Sequence, residues 1–247
     1  MDRIQIEGKN PILEALKSGK TIERLYVQDG TDKRRISDIL DLAKQGRTVV
    51  EHISKQRLDT MAQSHSHQGL IGILPEVSYT DFEELIDSVL EENQSPLFVI
   101  LDEIQDPHNL GAIIRSSECA GAAGVIVPAR RSAPLSSVAY KASAGALAHM
   151  PIARVTNLVD AIKHMKSKNI WVIGTDAEGE SCYRSDLTGA LALVIGSEGK
   201  GIRRLVMENC DNVVSIPMEG KINSLNASVA AGVLIFESKR QRIAKGQ

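Results

Sequence analysis

The chain has 247 residues, 43% hydrophobic and 24% charged, with 29 Lys+Arg against 31 Asp+Glu. These fractions lie near the globular average and exclude collagen, coiled coil and wholesale disorder, while the length allows one large or two smaller domains, each with its own core. Cys119, Cys182 and Cys210 are widely spaced and form no CxxC pair, so neither a disulfide framework nor a structural zinc site is expected, and a reducing cytosol is the natural setting.

The opening stretch, MDRIQIEGKN, lacks the basic and apolar regions of a signal peptide. Ile4–Ile6 is short and extended, and Asn10 is placed to cap a helix with Pro11 at its first position, PILEALKSG, closed by Gly19. IERLYVQ (22–28) reads as a strand and RRISDILDLAKQG (34–46) as an amphipathic helix ending at Gly46. TVVEHIS (48–54) is a strand, SKQRLDTMAQ (54–63) a short helix and GLIGILP (69–75) a strand, so residues 1–76 form a compact βαβαβαβ unit.

Residues 81–95, DFEELIDSVLEENQS, hold six acids and no base. This concentration reads as a surface helix or linker, and 77–95 is taken as an acidic linker. Beyond it, near-continuous apolar strands alternate with helices. The strands are PLFVILDEI (96–104), GVIVPA (124–129), MPIARV (150–155), IWVIGTD (170–176), LALVIGS (191–197) and NVVSIPM (212–218), and the helices lie near 109–121, 135–148, 157–168, 201–209 and 224–243. Strands apolar on both faces belong to a parallel sheet covered on each side, so the fold class is α/β. No apolar run approaches the roughly 20 residues of a membrane span, and a soluble, cytoplasmic chain with no membrane partner is expected.

Several familiar site patterns are missing. No GxGxxG follows the first strand of a βαβ unit, and the glycines at 196–201 run GxxGxG. Ser18-Gly19-Lys20-Thr21 imitates the end of a phosphate loop, but position 14 is Glu and a helix precedes it. His65-x-His67 has no acidic or Cys neighbour to complete a metal site, so no metal is expected. Basic clusters occur at Lys33-Arg34-Arg35, Arg130-Arg131, Arg203-Arg204 and around Lys239-Arg240 with Arg242 and Lys245. Singly, each reads as a solvated face; together they allow a polyanion to bind. Three Phe, one Trp and four Tyr are too few for a base-stacking platform.

In parallel α/β sheets ligands bind beyond the carboxyl ends of strands, and three loops there are rich in polar residues. DEIQDPHNLGAIIRSSECAG places Asn109 at a helix start and Arg115 within that helix; VIGSEGKGI sets Glu198 among glycines; SIPMEGKINSLNASVAAGVLIFE offers Ser224 or Asn226 as the cap of the last helix. Taken alone, each is ordinary capping or surface chemistry. Three of them at one sheet edge is less ordinary.

The set NLGAIIRS, LVIGSEGKGI and IPMEGKINSLNASVA resembles the three motifs of the SpoU (TrmH) family of RNA 2′-O-ribose methyltransferases, nearly continuously over 96–247. Residues 1–76, from G-K-N-P-I-L-E-A-L onward, resemble the L30e-like RNA substrate-binding domain of some members, the layout of enzymes that methylate a guanosine of 23S ribosomal RNA. The resemblance implies a C-terminal parallel-sheet domain with a trefoil knot of the SPOUT type, formed by loops 196–201 and 216–226, and a smaller N-terminal L30e-like α/β domain. It further implies S-adenosylmethionine as donor, held by backbone groups near Gly196, Ile216 and Leu225, ribosomal RNA as acceptor and a homodimer whose partner completes the site.

By the same resemblance the catalytic positions are Asn109, Arg115, Glu198, Ser224 and Asn226, with Glu198 holding Arg115 or Asn226, and Arg130 and Arg131 guide RNA phosphates. Since guanidinium stays protonated, the role expected of Arg115 is to bind a phosphate and stabilise charge on O2′. Two other readings stand beside this one: a tRNA ribose methyltransferase, and a non-catalytic RNA-binding factor of ribosome assembly.

Overall fold

The computed structural model describes residues 4–17, 19, 21–63, 67–74, 79–221 and 224–246. His65, and the Ile222-Asn223 portion of the last loop, lie outside the described residues. The chain divides into two compact units, Met1–Val77 with Leu135–Ser137, and Ser78–Pro134 with Val138–Gln247.

The first unit is built from β1 (Gln5–Glu7), α1 (Lys9–Lys17), β2 (Arg24–Gln28), α2 (Ser37–Gln45), β3 (Val49–Ile53), α3 (Lys55–Met61) and β4 (Leu70–Ile73). Its sheet runs β1-β4-β2-β3, with β2 and β3 parallel and β4 antiparallel to both β1 and β2. Tyr26, Ile53, Leu58, Ile71 and Ile73 pack into one cluster beneath α3. The first helix begins at Lys9, so Asn10 and Pro11 lie inside its first turn and Asn10 is not its cap.

The second unit contains α4 (Phe82–Glu92), β5 (Leu97–Asp102), α5 (Pro107–Ala120), β6 (Gly124–Pro128), all but the first residue of α6 (Ser137–Ala142), β7 (Ile152–Val155), α7 (Leu158–Ser167), β8 (Trp171–Ser181), β9 (Leu191–Gly196), α8 (Arg204–Met207), β10 (Asn212–Ser215) and α9 (Ala227–Lys245). Its six strands run β10-β8-β9-β5-β6-β7, and every pairing is parallel. Successive side chains alternate between faces. Phe98, Ile100, Ile126, Val172, Ala192 and Val194 join one core with residues of α4, α7 and α8. The alternate set, Val99, Leu101, Val125, Val127, Leu193 and Ile195, is buried as well, where α5 packs on α9 and α9 on β9. This double burial is why the strands are apolar throughout.

Three expectations are corrected here. The acidic stretch is not a linker: Asp81 caps α4, and Leu85 and Ile86 are buried in the sheet core, while the acids occupy the outer face. The helix foreseen over 135–148 is broken, because Ala144 and Gly145 adopt φ of +47° and +94° and only a short 3-10 turn, Ala146–Ala148, follows. β8 runs past 176 to Ser181. Its partner β10 pairs with Ile173 and Gly174 and then jumps to Glu180 and Ser181, so Thr175–Gly179 bulge out of the sheet.

Candidate active site

Asp102 and Gly196 end the adjacent strands β5 and β9 and are register partners, which fixes where the loops after them start. Past Gly196 the chain doubles back through a bridge between Ser197 and Gly201. A Cβ on Gly196 would lie 2.3 Å from the Gly201 carbonyl carbon, so only glycine permits this turn. The loop is pinned again at its far end. Asp102 is fully buried, and its two carboxylate oxygens accept from the Arg203 backbone N–H and Nε, each at 2.8 Å. A buried carboxylate needs such a partner, and Arg203 meets it in two places.

Between these anchors sits Glu198. Its Oε1 accepts from Asn109 Nδ2 at 3.1 Å, from Asn226 Nδ2 at 2.5 Å and from the Ala227 backbone N–H at 3.2 Å. Asn226 Nδ2 also donates to Asn109 Oδ1 at 2.9 Å. Asn226 caps α9 through Oδ1, which accepts from the backbone N–H of Ser228 and Val229, and a carboxylate at this helix N-terminus is favoured by the exposed N–H groups. Asn109 can reach Glu198 because it is the third residue of α5 and not its cap. Asp106 caps that helix, with Pro107 at the first position, which overturns the reading of Asn109 as a helix start.

Beside this cluster lies a cavity of about 360 Å3, walled by the 175–177 bulge, by Ser197 to Gly201, by Val214 to Met218, and by Ser224, Leu225 and the start of α9. Its surface combines apolar Val214, Ile216, Met218, Leu225 and Leu234 with the carboxylates of Asp176 and Glu198. The size falls within the usual range for small-ligand sites, about 300–1,000 Å3. An apolar wall with two acidic residues suits an organic ligand that bears positive charge.

The residues singled out in the sequence are thus distributed unevenly. Glu198, Ser224, Ile216 and Leu225 line the cavity, and Asn109 and Asn226 join it through Glu198; Gly196 shapes the loop from beneath and is not part of the lining. The Arg115 side chain is exposed on α5 and makes no hydrogen bond or ion pair with another described residue, so Glu198 holds the two asparagines and not Arg115. Asp176, Asp102 and Arg203 were not found from the sequence. A bulge and a salt bridge across 101 residues leave no local pattern.

Most of the basic clusters are spent internally. Arg242 is buried and donates to the carbonyls of Ser95 and Gly189 and to Ser238 Oγ, Arg240 is bidentate to Glu237, and Lys245 binds Asp186. Arg203 serves Asp102, and Arg204 pairs with Glu208 at 2.6 Å. Burial lowers the Arg242 pKa, and the Arg240 guanidinium lowers that of Glu237. Lys33, Arg34 and Arg130 point to solvent with no side-chain partner among the described residues. His67, from the loop pair, donates from Nε2 to Asp59 Oδ1 at 3.0 Å while its Nδ1 accepts from the Gly69 N–H, so it does have an acidic neighbour, contrary to the sequence reading; no cluster of three or more metal ligands occurs among the described residues.

Arg131 differs. Its Nη1 binds Glu103 Oε1 at 2.9 Å, with the carboxylate 11% and the guanidinium 67% exposed. Both residues hold a left-handed backbone, φ +58° and +59°. For a residue with a Cβ that conformation costs about 1–2 kcal/mol, whereas an exposed ion pair contributes about 0–1 kcal/mol.

Known proteins resemble this chain in both sequence and fold. Residues 96–236 match the model of the SpoU rRNA methylase family, and residues 5–80 match the RNA 2′-O ribose methyltransferase substrate-binding domain. The chain belongs to the SpoU (TrmH) family of RNA methyltransferases. It is 43% identical over 241 residues to a putative TrmH family tRNA/rRNA methyltransferase of Bacillus subtilis, covering 97% of this chain and 96% of that one. A Staphylococcus aureus relative of the same description is 40% identical, covering 98% of both chains. Among solved structures, the SpoU methyltransferase AviRb of Streptomyces viridochromogenes, crystallised with S-adenosylmethionine, matches with a TM-score of 0.77 at 27% identity, over 97% of this chain and 90% of that one. The fold is that of SpoU methyltransferases, a parallel-sheet α/β domain with a smaller α/β substrate-binding unit, and no described helix is long and apolar enough to cross a membrane.

Proposed function

We propose that this chain transfers a methyl group from S-adenosylmethionine to the ribose 2′-hydroxyl of a guanosine in 23S ribosomal RNA, acting as a cytoplasmic homodimer. The observation that supports this most is the meeting of Asn109, Glu198 and Asn226, from three distant segments of the chain, at the edge of a ligand-sized cavity. The two-unit layout is most like that of RlmB, the 23S ribosomal RNA (guanosine-2′-O-)-methyltransferase. An rRNA methyltransferase of Sinorhizobium meliloti, determined with S-adenosylmethionine bound, covers 96% of this chain at a TM-score of 0.76, whereas a TrmH/SpoU tRNA modifying enzyme of A. aeolicus covers 67% at 0.56. That difference favours ribosomal RNA over the second reading, tRNA.

The donor supplies an electrophilic methyl on a positively charged sulfur. The chain's own part is largely positioning, which can lower a barrier by about 7–11 kcal/mol. Backbone groups around Gly196, Ile216 and Leu225 hold the donor, the apolar wall excludes water, and the carboxylates of Asp176 and Glu198 face its positive charge. Glu198 locks Asn109 and Asn226 into one orientation, and Ser224 closes the rim. Arg115 is free to bind the phosphate beside the target ribose and to stabilise charge growing on O2′. Arg130 and Arg131 lie beyond the next strand, where they guide the RNA backbone. A knot formed by the loops 196–201 and 216–226, as the family resemblance implies, would wrap them around the donor.

A homodimer is supported by α9. Val229, Phe236 and Ile243 are exposed at seven-residue spacing, which puts three large apolar side chains on one helical face. Ribose-methylation mapping of ribosomal RNA from cells lacking this gene tests the function. A 2′-O-methylguanosine missing from 23S RNA is the expected result; intact ribosomal RNA with an altered tRNA replaces it with the second reading.

A further inference from the structure

The loops after β5 and β6 are tied together at the carboxyl edge of the sheet, where Ala133 N–H donates to the Ile104 carbonyl at 2.8 Å. Next to that tie stands the Glu103–Arg131 pair. Asp102 already engages Arg203 through both of its oxygens, and Arg203 lies 3.7 Å from Glu103, a longer contact than the 2.9 Å to Arg131. Arg131 is therefore the principal counter-ion of Glu103.

As a stabilising element the pair is poor, because two left-handed residues cost more than one solvent-facing ion pair contributes. Such strain is kept where a side chain must be aimed. Arg130 is the contrast. It is adjacent and exposed, but no described residue holds it.

We propose that Glu103 is a positioning residue that aims Arg131 at a phosphate of the RNA substrate. Glu103 occupies Nη1, and the other N–H donors of the guanidinium fork remain open at the surface for an anion. The nearly buried carboxylate removes the conformational freedom that a long exposed cation would otherwise lose on binding. This proposal rests on the reading of the chain as an RNA methyltransferase, and it adds a residue that touches neither donor nor ribose.

The test is a double-mutant cycle on Glu103→Gln and Arg131→Gln, with unmethylated 23S RNA transcribed in vitro and methyl-labelled S-adenosylmethionine. Glu103→Gln is expected to raise KM for the transcript roughly tenfold, the size of one charge-assisted contact, and to leave kcat and donor affinity within about twofold. In the Arg131→Gln background it should add less than about twofold, since there is then nothing left to aim. Arg131→Gln should also lower the salt slope of RNA binding by about one unit. An undiminished effect of Glu103→Gln in the Arg131→Gln background, a loss seen in kcat or donor affinity, or an unchanged KM overturns the proposal. Thermal melts of each variant identify an unfolded one, and Glu103→Asp, which keeps the charge on a shorter arm, should then give an intermediate KM. A wild-type chain that takes up the donor but neither binds nor methylates the transcript overturns the 23S reading, and with it the proposal that Arg131 is aimed at that RNA.

Discussion

Asn226 donates from Nδ2 to Asn109 Oδ1 at 2.9 Å, joining two positions 117 residues apart, and the same nitrogen reaches Glu198. One side chain thus does two jobs, since its Oδ1 caps α9 while its Nδ2 orders the cluster. Replacement can separate them. Asn226→Asp keeps the capping oxygen but sets a second carboxylate against Glu198, so the α9 cap should persist while the repulsion lowers stability near neutral pH, eases as pH falls, and reduces methyl transfer by at least about tenfold. Asn226→Ala removes both functions and should cost a further 0.5–2 kcal/mol, roughly, of stability. Chemical denaturation of the two variants, read beside their turnover, checks the split.

Arg115 has no partner among the described residues, so its replacement disturbs nothing in the resting chain. Arg115→Lys preserves the charge and loses the planar fork. RNA binding should weaken only a few-fold, whereas methyl transfer should drop by roughly 100-fold or more, in line with loss of one donor to a developing oxyanion. Single-turnover rates at saturating RNA distinguish this from a simple affinity loss. Near-normal rates would remove Arg115 from the chemistry.

How much of this was visible beforehand follows physical lines. The parallel sheet was legible because burial on both faces writes an unbroken apolar run, as in LFVILD and LALVIG. The packing of α4 is also written in the sequence, since Phe82, Leu85, Ile86 and Val89 recur at helical spacing, but the six acids around them match a solvated linker in composition. Asp106-Pro107 likewise marked the true start of α5. The 175–179 bulge and the Asp102–Arg203 pair had no such trace, because each depends on what a distant segment brings alongside. The grouping of Asn109, Glu198 and Asn226 was legible only through the family resemblance, since each alone is ordinary capping chemistry.

Gly196 supplies a sharper test of the cavity wall. A Cβ there would meet the Ile202 nitrogen at 2.4 Å as well as Gly201, and both are backbone, so the loop must move. Gly196→Ala should therefore abolish measurable uptake of S-adenosylmethionine by calorimetry while the rest of the sheet persists by circular dichroism. Gly199, with open space around its Cβ position but φ of +82°, should tolerate Asn far better than a β-branched residue.

The apolar face of α9 makes a prediction about assembly. Phe236→Lys inserts a charge into the stripe of Val229, Phe236 and Ile243 without touching the cavity. The variant should sediment as a monomer at concentrations where the wild type is a dimer, and should remain folded, because Phe236 is already exposed in the single chain. A wild-type chain that is itself monomeric would contradict the homodimer directly.

Alkaline stability gives an independent check on the packing behind the site. Burial pushes the Cys210 thiol up to about 12, with Asp211 adding to the effect, and burial alone pushes Tyr140 up to about 12. Each group is neutral when protonated, and the folded state holds that proton more tightly than the unfolded chain does. Their contribution is therefore complete below the unfolded pKa values, about 8.5 for Cys and 10 for Tyr, and is lost as pH rises from there toward 12. Melting temperature should fall steadily above pH 9. In Cys210→Ala the absolute stability at neutral pH will be lower, from lost packing against Gly174 and Val206, but the decline between pH 9 and 11 should be shallower. Parallel slopes for the variant and the wild type would show that the thiol is not desolvated in the folded chain.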